Sequence, residues 1–153
     1  MASYGGLYVS GNTTAIVAYN TAAAYTTGWV AYGLGRGDLT ITENATAGTL
    51  TCGPGVYEVW LTGDVETEVV SATSGDDVGV VTFQVYKDGV AEAGVKTTVD
   101  LEGADRAHNF CAHGFVEVDA GDTGELAVYV SSADPSGNDV TVKNCQFTAM
   151  LVQ

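Results

Sequence analysis

The residues best suited to chemistry lie in one short run, His108-Asn109-Phe110-Cys111-Ala112-His113, where imidazole and thiolate groups, both good zinc ligands, stand close in sequence. Spacing decides what they can do. In an extended strand Cys111 and His113 share one face while His108 lies on the other, so one chain offers two convergent ligands, too few for a closed zinc site. The run therefore reads first as packing surface with no metal, the alternative being a ring of His113 copies brought together by three-fold symmetry. A second run, Asp134-Pro135-Ser136-Gly137-Asn138-Asp139, supplies oxygen donors at Asp134, Ser136, Asn138 and Asp139 but lacks the glutamate that closes a calcium loop. It reads as a solvated turn. Residues 33–38, GLGRGD, suggest either a phosphate loop or an adhesive Arg-Gly-Asp, yet a phosphate loop needs a helix N-terminus behind it and the next residues, LTIT, are strand formers. The tripeptide is common by chance. Asn12-Thr13-Thr14 and Asn44-Ala45-Thr46 fit the glycosylation pattern, which only a secreted chain would use.

No Gly-x-Ser-x-Gly elbow and no His-Glu-x-x-His helix motif occurs, and neither histidine has a Ser or Cys in a plausible triad order. Glu66, Glu68, Asp76 and Asp77 fall in turn-rich sequence, where water solvates carboxylates. The expectation is a protein that is not an enzyme and carries no cofactor.

The elements that must position these residues are strands. In residues 56–62, Tyr57, Val59 and Leu61 point one way and Val56, Glu58, Trp60 and Thr62 the other, a period of two. Because the second face also carries Val and Trp, it calls for a cover of its own. Comparable runs at 14–20, 29–32, 38–42, 49–52, 78–87, 94–100, 109–118, 125–131 and 140–152 make about ten strands, separated by Gly-, Asp- and Asn-rich turn clusters such as KDGVAEAG and DAGDTGE. No helical pattern intervenes. An all-β sandwich, barrel or jelly roll follows.

At 153 residues the chain fits one domain with a substantial core. Its 20 glycines and 2 prolines suit many short strands. Five Lys plus Arg against 19 Asp plus Glu give a net charge of -14, which repels nucleic acid and anionic lipid alike. No apolar run approaches membrane-spanning length. The first twenty residues show no basic and apolar leader, and Cys52, Cys111 and Cys145 are odd in number and far apart, so synthesis in a cytoplasm with reduced thiols is expected.

Four segments carry a family resemblance. GTLTCGPGVYEVWL (48–61), VTFQVYKDG (81–89), AHGFVEVDAGDTGELAVYV (112–130) and CQFTAMLV (145–152) resemble, in family order, the strands of complement q-type globular heads and the related tumour-necrosis-factor class. The resemblance implies an antiparallel jelly-roll sandwich assembled as a homotrimer, which would supply the missing cover. It also places strand 109–118 beside the three-fold axis, so Cys111, His113, Phe115, Trp60 and Phe147 are the expected trimer-interface residues.

The N-terminal style, SYGGLYVSGNTTAIVAYN, followed by Gly28-Trp29 and a jelly roll, is similar to small virion proteins of tailed bacteriophages, including capsid decoration proteins. This second resemblance implies a cement protein on the virion surface, with the major capsid protein shell as partner. Residues 1–29 are expected to form an arm and first strand packing on that partner, and 30–153 the jelly-roll domain. Tyr4, Tyr8, Tyr19, Tyr25 and Trp29 are the expected capsid contacts, because aromatics anchor interfaces. The alternative is a receptor- or glycan-binding module, on a phage tail fibre or as a cell-surface head of the complement type.

Overall fold

The computed structural model describes residues 3–12, 22–33, 41–68, 80–101, 107–132 and 139–153. Among them run eleven strands and no helix: β1 (Tyr4–Val9), β2 (Ala23–Ala24), β3 (Val30–Ala31), β4 (Ile41–Asn44), β5 (Thr49–Cys52), β6 (Gly55–Glu68), β7 (Val80–Lys87), β8 (Val90–Asp100), β9 (Ala107–Val118), β10 (Gly124–Ser132) and β11 (Asp139–Leu151). The strand expected at 14–20 and most of that at 38–42, with the Arg-Gly-Asp, lie outside the described residues, as does most of the Asp134–Asp139 run.

The strands form two antiparallel sheets. One has the order β3-β1-β11-β6-β9, the other β4-β5-β10-β7-β8 with β2 beside β10. Since chain neighbours repeatedly cross from one sheet to the other, the arrangement is a jelly roll. The all-β jelly-roll expectation is thus met.

Period-two patterning accounts for the core. Along β6, Tyr57, Val59, Leu61 and Val65 are buried, and along β7, Val81, Phe83 and Val85 meet them from the facing sheet. Phe83 stacks on Phe110 of β9 at 3.9 Å between ring centres, tying the two sheets together. The β7–β8 hairpin turns on Asp88-Gly89, both with positive φ (52° and 77°), as a two-residue hairpin requires. That tight turn draws Val90 to Gly94 into β8, where the sequence had suggested a longer loop.

Two edges of the sandwich close differently. At one, β8 and β9 approach so closely that a methyl group on Gly114 would overlap the Gly94 carbonyl. At the other, Glu43 of β4 reaches across to β1 and the end of β3, accepting hydrogen bonds from the Gly6 and Gly33 amides, each 2.8 Å. The carboxylate satisfies backbone donors that no strand reaches.

The N-terminal segment departs from expectation. Instead of an arm apart from the jelly roll, β1 pairs with β11 over six residues, Tyr4↔Met150 to Val9↔Cys145, and buries Leu7 and Val9. Tyr25 and Trp29 are also core residues, 5 % and 6 % exposed. Trp29 Nε1 donates to the Tyr25 carbonyl at 2.7 Å and its ring lies 6.3 Å from that of Phe147. Burial pushes the Tyr25 hydroxyl up to about 12, so it stays protonated, with Asn12 Nδ2 donating to it at 3.1 Å.

Candidate functional site: an exposed aromatic sheet face

The outward face of the β3-β1-β11-β6-β9 sheet follows from register alone. Leu7, Phe147, Leu61 and Ala112 form one inward row, all buried, so their chain neighbours point out. The central outward rows are Tyr4, Met150, Glu58 and Phe115; then Gly6, Thr148, Trp60 and His113; then Tyr8, Gln146, Thr62 and Cys111, with a polar row of Asn144, Asp64 and Asn109 beyond them. Val30, opposite Tyr8 on β3, extends the Tyr8 row, and Tyr32 packs on Tyr8 at 4.9 Å.

This face carries large exposed apolar side chains among its polar ones. Phe115 is 59 % exposed and Trp60 43 %, and Tyr4, Val30 and Met150 are exposed beside them. The opposite sheet turns Thr82, Gln84, Thr98 and Lys96 outward. Its apolar groups include the Tyr86–Tyr129 pair, stacked at 3.9 Å, and Val90, exposed at the start of β8. Among the described residues, the first sheet thus presents more exposed aromatic surface than the second.

At the β6–β9 end the residues form a cluster. His113 lies over the Trp60 indole, ring centres 3.9 Å apart, with Phe115 edge-on at 5.8 Å. Its Nε2 sits 2.9 Å from Glu58 Oε1, a carboxylate that accepts from the imidazole in either protonation state of the ring. Cys111 is a free, exposed thiol in the neighbouring row. Cys52 and Cys145 are buried, and burial pushes the Cys52 thiol up to about 12 and that of Cys145 higher still.

Of the interface residues expected from sequence, Cys111, His113, Phe115 and Trp60 share this face. Phe147 does not: it is fully buried between the sheets, because its place in β11 has the parity of Cys145 and Ala149. Of the expected capsid contacts, Tyr4 and Tyr8 join the same outward face from β1. Tyr25 and Trp29 are core, since their rings fill the space beside Phe147, and Tyr19 lies outside the described residues. His108 has core parity, and its Nε2 is buried with no partner among the described residues. No group of three or more His, Cys, Asp or Glu side chains gathers among them. No helix among them is long and apolar enough to cross a membrane.

Glu58, Met150, Val30 and Tyr32 were not singled out in the sequence. Alternation in "QFTAM" would have found Met150 on the parity opposite to Phe147. No comparable signal marked Tyr32, whose place depends on β3 pairing with β1.

No protein-family model and no curated sequence matches the chain. A solved structure does: the structure of Eiger TNF from S. frugiperda superposes with a TM-score of 0.64 over 99 % of this chain and 94 % of that one, at 12 % sequence identity. Read with the strand orders above, that likeness establishes the architecture, and the chain adopts the TNF-like jelly-roll fold.

Proposed function

We propose that the chain is a non-enzymatic structural protein, a homotrimer whose subunits join through the Trp60–His113–Phe115 part of the exposed face and which decorates the surface of a bacteriophage capsid. The observation that carries the assembly is the aromatic cluster itself: large rings grouped on a rigid sheet, 43 % and 59 % exposed at Trp60 and Phe115, gain free energy when another surface covers them. The three-fold arrangement is the one implied by the family resemblance of the strand sequences. Tyr4 and Tyr8, at the β1 margin with Tyr32, are assigned to the shell contact. The decoration role draws its support from the N-terminal resemblance to small virion proteins. It draws further support from an acidic surface that keeps free particles apart and away from nucleic acid.

Two measurements test this. Sedimentation of the full chain is expected to show a trimer, while Trp60→Glu, which places a carboxylate at each copy of the contact, yields a folded monomer with an unchanged far-ultraviolet spectrum. Co-sedimentation with undecorated heads of the phage that encodes the chain is then expected for the trimer and lost in a Tyr4→Ser, Tyr8→Ser double variant that remains trimeric. A parent chain that stays monomeric at micromolar concentration refutes the assembly. Trimers that ignore shells but hold cells or glycans favour a receptor-binding head instead.

A further inference from the structure

We propose that Glu58 and the apolar side chains on either side of it form a docking site for an arginine side chain presented by a basic partner protein. The site belongs to one subunit, requires no assembly of copies and shares only Phe115 with the proposed subunit contact. It occupies the outward row Tyr4, Met150, Glu58 and Phe115, which the pairing of β1 with β11, β11 with β6 and β6 with β9 sets side by side. Opposed residues of neighbouring strands have Cβ atoms about 4.5–5.5 Å apart, so the Glu58 carboxylate stands between Met150 on one strand and Phe115 on the other.

That carboxylate is only partly satisfied. Its side chain is 22 % exposed and its Oε1 lies 2.9 Å from His113 Nε2, whereas Oε2 takes no hydrogen bond among the described residues. No described Lys or Arg pairs with it. Lys143 pairs with Glu66 at 2.9 Å, Lys87 Nζ donates to the Glu117 carbonyl at 2.7 Å, and Lys96 stands opposite Gln84 in the other sheet. A carboxylate with apolar neighbours is poorly hydrated, and a cation arriving from outside gives it a strong charge-assisted hydrogen bond.

The neighbours select the cation. Phe115 is 59 % exposed and meets His113 edge-on, ring centres 5.8 Å apart, while Tyr4 and Met150 are exposed along the same row. An aromatic ring favours a cation over its face, and a thioether is polarizable. These groups lie on one sheet surface, so they form a platform and not a cage. A platform suits a planar guanidinium, which stacks flat, is weakly hydrated and forks onto a carboxylate, better than a compact and strongly hydrated ammonium. The net charge of -14 attracts a basic partner from a distance and repels an acidic one, and the row fixes where the arginine lands.

The experiment is calorimetric titration of the full-length chain with a tetra-arginine peptide and with a tetra-lysine peptide at about 0.15 M salt. Backbone amide shifts locate the contact. Tetra-arginine is expected to bind about three-fold or more tightly than tetra-lysine, with shifts at Glu58, Phe115 and Met150. Glu58→Gln should weaken tetra-arginine binding by about ten-fold. Phe115→Leu keeps an apolar side chain without a ring and should abolish the preference for arginine. Glu92→Gln removes the same unit of charge on β8, in the opposite sheet, and is expected to leave binding unchanged. Equal loss in Glu58→Gln and Glu92→Gln would assign binding to overall charge, and equal affinity for the two peptides would remove the selection by the ring. Either result, like shifts confined to the opposite sheet or no binding at all, overturns the proposal.

Discussion

Cysteine separates the surface of this molecule from its interior. Cys52 and Cys145 lie in the core with their thiols pushed up by burial, Cys52 to about 12, so at pH 8 neither supplies thiolate to a reagent in the folded chain. Cys111 is exposed, in the row next to His113. A disulfide-exchange reagent at pH 8 is therefore expected to modify one thiol per chain quickly in the monomeric Trp60→Glu variant, and that thiol at least ten-fold more slowly in the trimer. Mass spectrometry of the labelled peptides checks both statements. Rapid labelling of Cys111 in the assembled parent would place the contact elsewhere. The partition of these thiols was only half readable in the sequence. Alternation put Cys111 on the face of His113, but all three cysteines read alike as reduced thiols, because a strand pattern gives parity without saying which face is open to solvent.

At the scale of elements, β6, β7, β9 and β11 were legible because their apolar residues alternate over many positions, whereas β1 was not. YGGLYV contains two adjacent glycines, which in sequence resemble a loop. The structure gives another reason for them. A Cβ at Gly5 would lie 2.6 Å from Ile41 Cγ2, and one at Gly6 2.8 Å from Thr148 Cγ2 and 2.9 Å from the Tyr32 ring, so these glycines permit close packing and not a turn. Sequence does not distinguish the two uses. With β1 an integral strand, the N-terminal residues cannot be removed as a dispensable arm, and shell contact must be tested by substitution. The same region depends on Glu43, whose two oxygens each hold a backbone amide. Glu43→Ala removes the partner of the part-buried Gly6 amide, while water replaces it at the exposed Gly33, and is expected to destabilise the fold by about 1 kcal/mol, read from urea unfolding of the monomeric variant. Faster hydrogen exchange at the Gly6 and Gly33 amides should accompany it, and unchanged exchange there would deny the carboxylate this role.

The whole molecule is strongly acidic, and three copies of a -14 subunit make a particle of -42. Such charge opposes assembly over distances that salt screens, since the Debye length falls from about 30 Å at 0.01 M to about 8 Å at 0.15 M. Trimer formation is therefore expected to strengthen, by about ten-fold or more, as sodium chloride rises from 0.01 M to 0.15 M, with sedimentation at fixed protein concentration as the measurement. Weakening over that range would mean that cross-subunit ion pairs, and not apolar cover, hold the copies together. The two sheets also differ in how they are joined at their margins. At the β8–β9 margin the Gly114 backbone sits on the Gly94 carbonyl, while the β1–β4 margin joins the Glu43 hydrogen bonds to the packing of Gly5 on Ile41. The sandwich is thus bound like a book, with its spine at the two glycines and its clasp at Glu43. A load that pulls the covers apart is expected to open the clasp before the spine, because polar contacts that water can replace yield more readily than close backbone packing.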